Sequence, residues 1–129
     1  MNHHTMSKGD VGLTFVIADL VKNDWIVSLP IQAYARYDLI ATKGKTIRRI
    51  QVKYRALVRG AMHCLKTTTV GGEAYTEEDV DAFAITNGEH IAYITIQDTA
   101  NKAISIRVEP SKNNQKLGCR NLEDYKLLL

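Results

Sequence analysis

The chain predicts an α/β (α+β) fold, a mixed β-sheet flanked by helices, within its 129 residues. Two observations carry this. One stretch near the N-terminus repeats apolar residues at the helical period, and later stretches alternate like strands between Gly- and Asn-containing turns. Composition agrees: 45% hydrophobic and 24% charged residues with only two prolines describe a globular chain without a low-complexity tract. That length suits one core, hence one domain over 1–129. Residues 1–7 read as disordered and 111–129 as a tail or closing element.

Element by element, Ser7 is placed to cap a helix over about 9–22, with Asp10 in its first turn. Its apolar stripe is Val11, Leu13, Val16, Ile17, Leu20 and Val21, and Asn23-Asp24 ends it. "WIVSLP" reads as a short buried strand stopped by Pro30. After the segment discussed next, "VRGAMHCLKTTTVGGEAYTEED" reads as loop or irregular hairpin. "DVDAFAITN" and "HIAYITIQD" read as buried strands joined by Asn87-Gly88-Glu89. "AISIRVEP" alternates and stops at Pro110, "SKNNQKLGCR" is a basic loop, and "NLEDYKLLL" a short closing helix or tail.

Residues 37–54, "YDLIATKGKTIRRIQVKY", hold the most informative pattern. The turn at Thr42-Lys43-Gly44-Lys45 joins two strand-like runs. In the second run Ile50, Val52 and Tyr54 alternate with Arg49, Gln51, Lys53 and Arg55, so the two sets take opposite faces. A loop at Gly44-Lys45 sets Asp38 opposite Gln51, and a loop at Lys43-Gly44 sets it opposite Arg49. Either register leaves Asp38 on the face of Gln51 and Lys53. A carboxylate and a main-chain carbonyl suit a hard cation such as Mg²⁺, and a neighbouring lysine can orient or deprotonate water. That is the equipment of metal-assisted phosphodiester cleavage.

"KGDVG…VIADL…YDLI…IQVKY…EEDVDAFA" resembles the PD-(D/E)XK nuclease superfamily over about residues 8–96. It is most similar to the branch containing group I intron-encoded homing endonucleases. The resemblance implies a restriction-endonuclease-like core and a Mg²⁺- or Mn²⁺-dependent, site-specific DNA endonuclease. Asp38 stands at the family's metal-binding Asp and Lys53 at its catalytic Lys. Gln51 holds the place usual for Asp or Glu, and the Val52 carbonyl would be a further metal ligand. Asp81, in "DVDAFAI", would support the site. One position departs: family members commonly carry Glu in the first helix where this chain has Leu13. An apolar side chain cannot ligate a cation, so Leu13 raises the alternative of a catalytically silent DNA-binding module. A Holliday-junction resolvase is the alternative within the superfamily.

The net charge of +3 permits an anionic partner. Basic residues are dense around the hairpin (Lys43, Lys45, Arg48, Arg49, Arg55 and Arg59) and recur at Lys112 and Lys116. These are the expected contacts to double-stranded DNA. One subunit with one site implies a homo-oligomer, a dimer or dimer of dimers, for cutting both strands. Cys64 and Cys119 lack a CxxC spacing, which fits a reducing, cytoplasmic setting with nucleoid association on DNA. No apolar run reaches about 20 residues, so no membrane-spanning helix is expected.

Overall fold

A long helix, α1 (His4–Lys22), opens the chain in the computed structural model, which describes residues 4–64, 75–99, 103–109 and 120–129. The strands follow as β1 (Ile26–Ser28), β2 (Leu39–Lys43), β3 (Thr46–Tyr54), β4 (Leu57–Val58), β5 (Ala61–Cys64), β6 (Ala82–Thr86) and β7 (Ile91–Thr95). Then come a short helix α2 (Ile96–Thr99), β8 (Ile104–Arg107), β9 (Arg120–Asn121) and a 3₁₀ turn at Leu122–Asp124.

The helix begins before the expected residue 9, so Ser7 lies inside it and Asp10 lies beyond its first turn. Residues 4–8 contain no proline, and Ser or Thr in a helix costs only tenths of a kcal/mol, so nothing stops the helix there. Its C-terminus is as expected. Asp24 takes φ +68°, and the Trp25 and Asp24 N–H groups donate to the Leu20 and Val21 carbonyls at 3.0 and 3.1 Å. This is a Schellman closure, with Trp25 and Leu20 buried in the same cluster.

Two sheets form rather than one. The first has the order β1-β2-β3-β6-β7, and the second β4-β5-β8-β9. Within the first, β3 pairs parallel to β6, and its other neighbours are antiparallel. The segment read as loop or irregular hairpin supplies the start of the second sheet. Val58 pairs with Ala61 around Arg59-Gly60, both at positive φ, which is the geometry of a two-residue type I′ turn. Residues 65–74 and 110–119 lie outside the described part, so the basic loop's structure and the stop at Pro110 do too.

Alternation sorts the central sheet's side chains. Ala82, Ala84, Ile91 and Tyr93 join Val16 and Leu20 of α1 in one apolar cluster. Phe83, Ile85, Ala92 and Ile94 join Met62, Ile104 and Ile106 of the second sheet in another. The first sheet is thus covered by a helix on one face and by a sheet on the other. Small residues let α1 settle close: a Cβ on Gly12 would lie 3.4 Å from Thr86 and Tyr54 side-chain atoms. β1 is an edge strand, with Ile26 69% exposed, and not the buried strand expected. Only its middle residue, Val27, turns inward against the α1-side cluster, while Ile26 and Ser28 face outward at the sheet edge.

Candidate active site

The turn register selects one of the two expected pairings. Lys43 pairs with Thr46 and Leu39 with Ile50, so the loop is Gly44-Lys45 and Asp38 comes opposite Gln51. Gly44 at φ +60° is what this tight loop needs at its first position. On β3, Ile50 and Val52 pack towards α1. Gln51 and Lys53 therefore point to the other face, in register with Phe83 and Ile85. Asp38, Gln51 and Lys53 converge, on the face turned to the second sheet.

Asp38 stands just before β2 begins. Its main-chain N–H donates to the Ile50 carbonyl at 2.8 Å, and its Oδ2 accepts the Val52 N–H at 2.8 Å. The carboxylate thus replaces a strand partner that β2 no longer provides, which fixes its position against β3. Burial pushes the Asp38 carboxyl above its usual range, and the Val52 N–H and the Lys53 charge only partly offset this. Burial likewise pulls Lys53 below the usual lysine range; Cys64 and Asp38 oppose that shift and Arg55 adds to it. Both groups are therefore held closer to neutrality than they would be in water.

The donor set fits a hard cation. Asp38 Oδ1 accepts no hydrogen bond among the described residues. In an extended strand a residue's N–H and C=O point to the same side, so the Val52 carbonyl faces the Asp38 side of β3. Gln51, half-buried and without a side-chain hydrogen bond among the described residues, offers a neutral amide oxygen. Oxygen donors of this kind suit Mg²⁺ or Mn²⁺. Among the described residues no group of three or more His, Cys, Asp or Glu side chains is placed to hold a metal ion. Leu13 contributes none: it is half-buried against the α1-side apolar cluster, as Val52 is.

Asp81 does something different. Its Oδ2 accepts the Arg49 main-chain N–H at 2.7 Å and Nε at 3.2 Å, and its Oδ1 accepts Arg49 Nη2 at 3.2 Å. Arg49 also donates to the Glu77 and Glu78 carbonyls. Burial alone would raise the Asp81 carboxyl, but the Arg49 hydrogen bonds outweigh it and hold Asp81 below the usual range. This clamp ties β3 to the start of β6 next to the site.

The basic residues do not form one patch. Arg49 is committed to the clamp, and Arg48 Nε donates to the Leu129 carbonyl at 2.7 Å. Lys43 lies over the Trp25 ring at 4.9 Å, and Lys45 is exposed at the hairpin tip. Arg55 reaches the Tyr54 carbonyl at 2.7 Å, and Arg59 is exposed in its turn. From Lys45 to Arg55 along β3 is roughly 30 Å at about 3.3 Å per residue, so basic side chains flank the site at both ends. Lys112 and Lys116 lie outside the described residues.

Sequence reasoning missed Tyr75 and Arg36. The Tyr75 ring lies 5.2 Å from Lys53 Nζ and 5.0 Å from Arg36 Cζ, and Arg36 pairs with Asp79 at 3.1 Å. Both come from segments without periodicity, and nothing in the local pattern marks them.

The comparisons agree with this fold. The family described as PD-(D/E)XK endonuclease matches residues 3–128. A solved structure titled as a bacterial homing endonuclease superposes with a TM-score of 0.70 at 18% sequence identity, covering 96% of this chain and 89% of that one. At that identity the likeness is one of fold. No curated protein sequence matches the chain.

Proposed function

Since the chain belongs to the PD-(D/E)XK endonuclease family, we propose that it is a site-specific endonuclease hydrolysing phosphodiester bonds of double-stranded DNA with a divalent cation. The observation that carries this reading is the convergence of Asp38, Gln51 and Lys53 on one strand face, with Asp38 seated by the Val52 N–H. Asp38, the Val52 carbonyl and the Gln51 amide would hold Mg²⁺ or Mn²⁺. When bound, the ion supplies Lewis acidity at the phosphate and lowers the pKa of water. Lys53 orients the attacking water, takes up its proton when its ammonium has been deprotonated, and otherwise offsets charge on the phosphate oxygens. Lys43, Lys45, Arg55 and Arg59 fit as phosphate contacts on either side of the cut.

The fold shared with a bacterial homing endonuclease supports a duplex target. Cutting both strands calls for two-fold related copies, hence a dimer or dimer of dimers, acting on DNA in the cytoplasm. Leu13 favours a second reading, a DNA-binding module without catalysis, because it removes the acidic group that family members place in the first helix.

A single assay separates the readings. A randomised linear duplex library and a four-way junction are incubated with the chain and Mg²⁺ or Mn²⁺, reading cleavage and mobility shift together. Cutting at one duplex sequence is expected. Cutting confined to the junction would make it a resolvase, and shifts without cutting by any divalent ion would make it a silent module.

A further inference from the structure

We propose that Tyr75 is a positioning residue for Lys53, its ring face restraining the lysine ammonium on the face of β3 that carries the site. The proposal rests on the endonuclease reading above for its catalytic meaning, and on geometry for its contact.

Lys53 Nζ lies 5.2 Å from the Tyr75 ring centroid, within the range at which a cation is attracted by the negative face of an aromatic ring. The ring is itself fixed. Tyr75 is 7% exposed and meets Phe83 edge-on at 5.5 Å and 80°. Phe83 is fully buried and pairs in register with Gln51. A second cation, Arg36, lies 5.0 Å from the same ring and is anchored by Asp79 at 3.1 Å. Asp79 in turn accepts the Thr76 N–H at 2.9 Å, which closes the turn following Tyr75.

One ring thus links the segment leading into Asp38, through Arg36, to the strand carrying Lys53. A lysine has four side-chain torsions, and a flexible ammonium is a poor partner for a reaction that depends on position. The Tyr75 ring face, fixed by its own packing, restrains the ammonium end of that side chain. Asp38 and Lys53 consequently belong to one assembly whose keystone lies outside the sequence motif.

The test uses the full chain with Tyr75→Phe and Tyr75→Leu. The lysine side-chain resonances of DNA-free, metal-free protein are recorded, with Lys53→Met giving the assignment. Ring-current shielding should move the Lys53 ε-methylene protons upfield in the parent and in Tyr75→Phe, and Tyr75→Leu should lose the shift. Single-turnover cleavage of the duplex target and equilibrium DNA binding are then measured at a temperature where melting curves show all variants folded. Tyr75→Phe should cut within about threefold of the parent, and Tyr75→Leu about tenfold slower with unchanged DNA affinity. Unshifted Lys53 resonances in the parent overturn the proposal, as does Tyr75→Leu cleaving at the parental rate. Equal losses in Phe and Leu also overturn it, since they would assign the role to the hydroxyl. Should the parent cut no DNA, the endonuclease reading fails by itself, and the resonances still decide the Tyr75 contact.

Discussion

Two acid–base pairs lie on the same face of β3, four positions apart, and they are built in opposite ways. Arg49–Asp81 is saturated at its carboxylate: main-chain and guanidinium donors converge there, and two further guanidinium N–H groups go to the Glu77 and Glu78 carbonyls. Asp38 and Lys53 are linked by charge across a partly buried face, and Asp38 is sparsely bonded: it accepts the Val52 N–H and leaves Oδ1 without a hydrogen bond among the described residues. The carboxyl of the first pair is held below its ordinary range, and that of the second is held above it. A hydrogen-bonded ion pair stabilises a strand junction. A desolvated pair costs stability, and such groups suit chemistry.

The signs follow from linkage. Asp81 has a folded pKa below 3.8, so its contribution is present above 3.8 and is lost as pH falls through the depressed value. Asp38 has a folded pKa above 3.8, so its charged form weighs against folding as pH rises from 3.8 through the raised value. Lys53 has a folded pKa below 10.5, so its charged form weighs against folding at neutral pH, and that cost fades as pH approaches 10.5. At neutral pH, therefore, one pair supports the fold and the other opposes it.

The largest expected effect breaks the desolvated pair. Lys53→Met should reduce cleavage by about 10²–10⁴-fold, the usual scale of a positioned proton-transfer group, while the melting temperature at pH 7 stays level or rises. Parental cleavage in this variant would exclude Lys53 from the reaction. Asp38→Asn comes next. The amide oxygen can still accept the Val52 N–H, so the fold should persist at pH 7, but Mn²⁺ affinity measured by calorimetry or EPR should collapse along with cleavage. Undiminished Mn²⁺ binding would place the ion elsewhere.

Breaking the saturated pair should give the reverse profile. Asp81→Asn should cost about 1–2 kcal/mol at pH 7, discounted because the pair is partly solvated. That cost should shrink in melts taken below pH 3.8. A loss independent of pH would mean that the pair acts through packing alone. The smallest effect concerns affinity. Arg55→Ala should reduce the slope of log affinity against log salt by about one unit, and Arg49→Ala, already committed to Asp81, should leave it nearly unchanged.

The contrast also explains what was legible in the sequence. Period-two alternation and a Gly turn sufficed to bring Asp38, Gln51 and Lys53 together, because those signals are local to 37–54. The end of α1 was legible because Asn23-Asp24 signals it locally, but its start was not, because no strong cap or proline marks it. The second sheet was hidden: β4 and β9 are two residues each and are held by long-range pairing rather than by their own pattern. Arg36 and Tyr75 reach the site only through that tertiary arrangement. The basic residues were easy to count and hard to place, since Arg48 and Arg49 leave β3 on opposite faces and take different partners.

The most direct test of the two-pair account is a ¹³C titration of the aspartate side-chain carboxyls, with and without Mg²⁺. Without the ion, Asp38 should titrate above 3.8 and Asp81 below it, matching the directions set by burial and by Arg49. Added Mg²⁺ should drive the Asp38 midpoint down and leave Asp81 in place. An Asp38 midpoint at or below that of Asp81, or one that ignores Mg²⁺, would contradict the assignment of Asp38 as the metal-binding carboxylate.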